Sequence, residues 1–477
     1  MLLKNFLWDY GSRLTTIILN LVITGVLSRI LSPDDYGLMG LVMAVTAVAS
    51  IFQDFGFSSA IVQKNDINNE QMSTIFFLNW GVGMLLFILI LLMSPLVAQY
   101  YNQSNLVSIL QVSAITFLIN PINLVPAALI QKQMLFKQQA IRNVVVSIII
   151  GTIAIGMAYY GWGVWSLVFQ GVLGAIAGLI INLIITQWRP KLYFNITGIK
   201  SIFSYSSYLF LSGLLNTIFT KIDVFLIGKV FSMATLGQYT RAQGMDNMVR
   251  NISSNSLLSV LFPYFSKIQG DTQLLTKQWE KYFDLICFAY FLLSGISIIS
   301  AKLVFTLLFG AQWGIAADYF KIIAITGAIY PLSALALSII QARGDSKSFF
   351  HAEVAKKIVM LPCFGVAYYY GILAFLYILC LAYFLMFTLN LYFLSKSIPF
   401  SIAKSALNFV KYLFVAVLFF LIPGLIDYSF WLDSTHIGIV SIVNLLFITY
   451  FWLFMRWMKP DMSLYILQIA TKTIKRS

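Results

Sequence analysis

An all-α, polytopic membrane fold of about fourteen transmembrane helices is what this sequence predicts, arranged as two parallel six-helix lobes plus two C-terminal helices. Three observations carry that prediction: the apolar composition, the alternating character of the loops, and an internal repeat. Of the 477 residues, 60% are hydrophobic and only 10% are charged, against roughly 25% charged in soluble domains. Mean hydropathy is +0.86, and apolar runs of about 20 residues, enough to span a bilayer, recur along the chain. Lipid offers no partner to backbone N–H and C=O groups, so spanning segments must be helices or a closed barrel. The runs here are continuous rather than alternating, which selects helices.

The runs place helices at 11–31, 37–63, 72–98, 105–131, 139–160, 162–187, 202–230, 236–266, 281–309, 317–341, 350–370, 371–395, 404–424 and 436–457. Spans longer than 25 residues imply tilt or extension beyond the bilayer. The opening "MLLKNFLWDYGSR" runs into an apolar stretch too long for a signal-peptide core and shows no small-residue cleavage site, so the first helix is expected to be retained. One set of loops is basic, for example "QKQMLFKQQAIR", "WRPKLYFNITGIK" and "QARGDSKSFF". The alternate set, "SPDDYG", "YYNQSN", "YYGWG", "SMATLG" and "DYSFWLDSTH", is short and holds no Lys or Arg. The positive-inside rule makes the basic side cytoplasmic and, with an even helix count, both termini cytoplasmic. The expected location is a membrane, crossed many times, with the basic loops on its cytoplasmic side. This topology accounts for most of the net charge of +14 and argues against a nucleic-acid partner.

The opening hairpins of the two halves align at an offset of 200. "RILSPDDYG" (29–37) meets "KVFSMATLG" (229–237), so Arg29 matches Lys229, Ser32 matches Ser232 and Gly37 matches Gly237. Further on the offset becomes 210, where Pro121 matches Pro331 and Gly161 matches Gly371. Each repeat holds six helices, an even number, so both begin on the same side of the membrane. Transporters built from parallel repeats bind substrate at the interface between halves and rock those halves to alternate access. The expected division is 1–195 for the first lobe, 196–400 for the second, and 401–477 for two further helices outside the repeat and a tail.

A charge near the bilayer centre costs about 2.5–3.5 kcal/mol or more, so such residues face a cavity or a partner. Arg250 lies some fourteen residues into its span, too deep to reach the headgroups easily. Arg13, Arg29 and Lys302 either line a cavity or snorkel to an interface. Arg241 is expected at the outer mouth. Lys221 and Asp223 stand two apart on one helix and do not share a face, so each is expected to pair with another helix, Asp246 being a candidate partner. Asp54, Asp223 and Asp246 are candidates for binding a coupling ion, H+ or Na+, or else sit in structural pairs. The basic members outnumber the acidic ones, which favours an anionic cargo. No G-x-x-x-x-G-K-[ST] motif occurs, and no loop is rich enough in carboxylates or large enough to house sugar chemistry. No cofactor or metal is expected, and the reading is transport rather than catalysis.

The stretch "GVLSRILSPDDYGLMGLVMAVTAVASIFQDFGFSSAIVQK" (25–64) resembles the opening of bacterial Wzx-type polysaccharide flippases. It is most similar to the colanic-acid-exporter branch of the multidrug/oligosaccharidyl-lipid/polysaccharide superfamily. The likeness covers residues 1–395. It implies a V-shaped pair of six-helix lobes that moves undecaprenyl-pyrophosphate-linked repeat units to the periplasmic leaflet. It also implies arginines of helices 1 and 8, here Arg13 and Arg250, in a cationic cavity, with a polysaccharide polymerase as partner. A drug or cation antiporter of the same superfamily, with an acidic cavity, stays open as an alternative. So does a membrane glycosyltransferase or polymerase.

Overall fold

The computed structural model of this protein describes residues 2–54, 57–63, 67–195, 200–250, 256–426, 434–459 and 463. Among the described residues the chain forms α-helices, one short 3-10 turn and no strand. The helices are α1 (Leu2–Ile30), α2 (Pro33–Asp54), α3 (Phe57–Gln63), α4 (Asn69–Tyr101), α5 (Leu106–Ser113), α6 (Thr116–Lys132), α7 (Phe136–Tyr159) and α8 (Trp165–Thr186). They continue as α9 (Lys200–Val230), α10 (Met233–Arg250), α11 (Ser256–Lys267), α12 (Thr272–Leu308), α13 (Gly314–Ala342), α14 (Ser346–Ser397), α15 (Ile402–Ile426) and α16 (Ile437–Met458). These regroup into the fourteen expected spans. The pairs α2/α3, α5/α6 and α10/α11 each complete one span, and α14 holds two spans joined at a kink at Gly371, whose φ is 88°.

The chain divides into two compact units, Met1–Thr240 and Arg241–Ser477. In the first, α1 packs on α7, α8 packs on α6 and α7, α4 packs on α6, and α9 packs on α2. In the second, α13 is gripped between α12 and α14. The helices α15 and α16, expected outside the repeat, pack on α12 as part of this unit's core. Rings build these contacts: Phe291 of α12 meets Phe409 of α15 at 5.3 Å, and Phe419 of α15 meets Phe447 of α16 at 4.9 Å. Gly295 makes room, because a Cβ there would stand 2.2 Å from the Phe447 ring. Polar contacts fasten the same helices. Lys459 is ion-paired with Asp284, Asn408 Nδ2 donates to Asp284 Oδ1 at 3.4 Å, and Asn444 donates to Ser300 at 2.9 Å. Close packing and buried polar contacts hold helices together in lipid, where apolar burial supplies little drive.

The repeat is visible in backbone geometry. Ser32 Oγ accepts from the Asp35 N–H at 3.2 Å, and Ser232 Oγ accepts from the Thr235 N–H at 3.2 Å. Both serines therefore cap the following helix at equivalent positions. Asp35 completes the first cap by accepting from the Ser32 N–H at 2.9 Å, with Pro33 in the first helical turn. At the second offset, Gly161 and Gly371 have φ of 82° and 88°, and Met134 and Gly344 have φ of 54° and 74°. Equivalent residues take positive φ in both repeats.

Each repeat also carries its matched proline inside a helix. Proline lacks an N–H and leaves the carbonyl four residues earlier without its helical donor. In the first unit that carbonyl belongs to Phe117, and Gln53 Nε2 of α2 donates to it at 3.0 Å. Gly83 of α4 lies against the same carbonyl; a Cβ there would stand 2.3 Å from it. The bend at Pro121 is thus closed by a neutral side chain.

Candidate functional site

In the second unit the equivalent bend opens onto a charged pocket. Pro331 frees the carbonyl of Gly327, and Gly327 lines a cavity with Asp246, Arg250, Ser294, Ser297 and Phe320. The cavity encloses about 310 Å³, part of it open to solvent. Asp246 and Arg250 stand one turn apart on α10, so both reach the same face. Arg250 Nε lies 2.5 Å from Asp246 Oδ2, with side chains 13% and 7% exposed. Arg250 Nη2 donates to Thr326 Oγ1 of α13 at 2.7 Å. Its guanidinium carbon lies 4.9 Å from the Tyr330 ring and 5.8 Å from the Tyr383 ring. Two charges persist here because each offsets the other and because aromatic faces attract a cation.

The arrangement suits an anion. A guanidinium presents a planar fork of donors that matches carboxylate and phosphate oxygens two at a time. Asp246 stands at the Nε corner of that fork and Thr326 at Nη2, and a phosphate group offers the same kind of acceptor. Ser294 is tied to the helix, donating to the Ala324 carbonyl at 2.6 Å.

The other expected site residues scatter. The side chains of Arg13 on α1 and Asp54 at the end of α2 lie outside the described residues. Arg29 is exposed in the last turn of α1, where a cation suits the negative end of the helix dipole. Its counterpart Lys229 donates to the Tyr100 carbonyl at the end of α4, at 2.5 Å. Asp223 is buried and accepts from the Tyr239 hydroxyl at 2.5 Å, so it does pair with another helix. The expected pairing of Asp246 with Lys221 or Asp223 gives way to pairing with Arg250, because i and i+4 share a face and are held together by the helix itself. Lys221 is half-buried on α9 and makes no ion pair among the described residues. Arg241 lies over Phe309 at 4.8 Å and Trp313 at 5.1 Å. Lys302 is half-buried beside Gly314 at the start of α13, its Nζ 3.3 Å from where a Cβ on that glycine would stand.

Sequence reasoning missed Arg142. It was grouped with the basic loop, yet it lies inside α7, where Nη1 donates to Asn182 at 2.9 Å and Asn182 donates to Asn123 at 2.8 Å. The signal was the apolar run that starts right after "AIRN". Thr326, Tyr330 and Tyr383 were also missed, since a hydroxyl or ring within an apolar helix carries no sequence signal of a buried cation beside it.

Fold and site together define a class: a multi-pass helical membrane protein with a charged pocket among its spanning helices. The chain belongs to the polysaccharide biosynthesis protein family, which it matches over residues 26–318, more than half its length. It is 27% identical over 415 residues to the teichuronic acid biosynthesis protein TuaB of Bacillus subtilis (strain 168), covering 83% of this chain and 86% of that one. It is 23% identical over 363 residues to the lipopolysaccharide biosynthesis protein WzxC of Escherichia coli (strain K12), covering 74% and 73%. Among solved structures, the lipid II flippase MurJ in an inward closed conformation has the same fold, with a TM-score of 0.70 at 14% identity over 93% of this chain and 98% of that one. The resemblance to Wzx-type proteins and the predicted fold class both hold.

Proposed function

We propose that this protein is a flippase that carries undecaprenyl-pyrophosphate-linked oligosaccharide units from the cytoplasmic to the periplasmic leaflet of the inner membrane, for surface polysaccharide. The observation that carries this reading is the guanidinium of Arg250, held between Asp246, Thr326 and two tyrosines among membrane-spanning helices. Membership of a polysaccharide biosynthesis family supports it. In this reading residues 1–195 and 196–400 act as the two lobes, and both termini are cytoplasmic. Arg250 receives the pyrophosphate, and Arg13, Lys221, Arg241, Lys302 and Arg29 supply the rest of the cationic path. Asp246, released when phosphate takes its place on Arg250, binds the coupling H+ or Na+; Asp54 and Asp223 are the further candidates. A polysaccharide polymerase receives the units on the far side. The chain transports and leaves the covalent chemistry to others.

Deleting the gene tests this. Lipid-linked units accumulating on the cytoplasmic leaflet is the expected outcome. Failure of unit assembly instead would support a transferase.

A further inference from the structure

The two helices outside the repeat, α15 and α16, meet along a seam that fixes their register. Tyr412 donates to Met455 Sδ at 3.5 Å, Tyr450 donates to the Val415 carbonyl at 3.3 Å, and Phe419 meets Phe447 at 4.9 Å. Both helices are long and apolar enough to cross a membrane, so their exposed faces meet lipid. On α15, Lys404, Leu407, Lys411, Phe414 and Leu418 are all exposed, at the spacing of one helix face. Lys411 shares that face with Val415, four residues on. On α16, Trp457 is 80% exposed and shares a face with Tyr450, seven residues earlier. Tyr450 touches Val415, so Lys411 and Trp457 border the same edge of the seam. They also stand at one level, because their neighbours Tyr412 and Met455 are paired. Lys411 lies about 13 Å along α15 at roughly 1.5 Å per residue. An ammonium there needs an anion or water. Neither α15 nor α16 contains an Asp or Glu. Glu280 is paired with Lys404 at 2.9 Å and Asp284 with Lys459. Among the described residues Lys411 makes no ion pair.

We propose that this edge binds an anionic phospholipid of the leaflet beside the basic loops, to which the linker "SKSIPFSIAK" opening α15 belongs. The lipid phosphodiester accepts from the Lys411 ammonium and from the Trp457 indole N–H, side chains that only donate. An indole suits headgroup level, and Arg456, exposed beside Trp457, adds to the positive field. One acyl chain lies between Phe414 and Leu418 of α15 and Leu453 of α16, which is 64% exposed. A zwitterionic lipid brings its own cation to the phosphate and gains less from Lys411. The site lies outside the repeat and stands whatever cargo the chain moves.

Native mass spectrometry of the full chain in detergent tests it, with phosphatidylglycerol and phosphatidylcholine offered together. The parent is expected to retain phosphatidylglycerol in preference. Lys411→Met should cut that preference about fivefold, the factor one lysine contributes beside an anionic surface. Lys411→Arg should keep it, and Trp457→Leu should lower it. Lys277→Met, at an exposed lysine of α12 that is no part of the seam, should leave it unchanged. Absence of any preference in the parent overturns the site. So does a preference that survives both Lys411→Met and Trp457→Leu. An equal loss in Lys277→Met means diffuse attraction to the basic face and also overturns it. Displacement of the phosphatidylglycerol by an equimolar polyprenyl pyrophosphate would give the edge to a cargo lipid instead, and the phospholipid assignment falls.

Discussion

The matched proline bends at Pro121 and Pro331 occupy the same place in the two repeats and have been put to different use. At Pro121 the freed Phe117 carbonyl is satisfied by Gln53, and Gly83 closes over it. At Pro331, Gly327, four residues earlier, lines a cavity with an ion pair and two serines. One position is sealed into structure, and the other borders the cavity proposed above as the site. A bend by itself is thus no evidence of function; what distinguishes the second is a charge in lipid surroundings, which persists only with a partner.

The largest expected effect falls on Arg250. Arg250→Ala should abolish flipping, read as accumulated lipid-linked units, and should cost about 3–5 kcal/mol of stability because Asp246 is left buried and unpaired. The double change Arg250→Met with Asp246→Leu separates the two losses: stability returns and flipping does not. Restored flipping in that double variant would make the pair structural and erase the contrast between the bends. Next comes Gln53→Leu, which leaves the Phe117 carbonyl unsatisfied at a cost of about 1–3 kcal/mol. Flipping per folded molecule should be unchanged. A thermal-unfolding series that finds no loss would break the account of the first bend. A double-mutant cycle sharpens it further. Pro121→Ala restores the helical N–H, so Gln53→Ala should matter less in its presence, with a coupling of about 0.5–3 kcal/mol.

The smallest effect concerns the helix that follows each bend. Leu135, just before α7, gives that helix no side-chain cap, whereas the equivalent start of α14 is capped by Asp345, which accepts from the Ser348 N–H at 3.0 Å. That bond, first among the causes, holds the Asp345 carboxyl below its ordinary value. A carboxylate favoured by the fold stabilises it above the unfolded value near pH ~4 and loses that contribution as pH falls through the lower folded value. Asp345→Ala should cost about 1 kcal/mol at neutral pH. Thermal unfolding followed from pH 7 downward should show the gap between parent and variant closing in acid. A gap that stays constant would remove the cap from the comparison.

Membrane class, span count and the repeat were all legible in the chain. Lipid forces backbone groups to be satisfied within each helix, so apolar runs alone mark the spans. The turn chemistry of Ser32, Pro33 and Asp35 is local and reads directly from "LSPDDYG". Arg250 stood out for the same reason, since depth in an apolar run is a property of sequence. Its partner did not. Asp246 was expected to answer Lys221 or Asp223, and geometry gave it to Arg250, one turn along the same helix. Arg142 hid at the margin of a basic loop, and its place between α6 and α8 depends on where α7 starts. The two C-terminal helices fell outside the repeat, yet aromatic packing and Lys459 with Asp284 made them core. The sequence by itself determined what must lie in the membrane and which residues are equivalent, because those follow from local transfer costs and periodicity. Tertiary structure alone decided which charges meet, which freed carbonyl is sealed, and that Gly37 and Gly237 face each other's neighbours. Those are contacts between segments some 200 residues apart, and no local rule sets them.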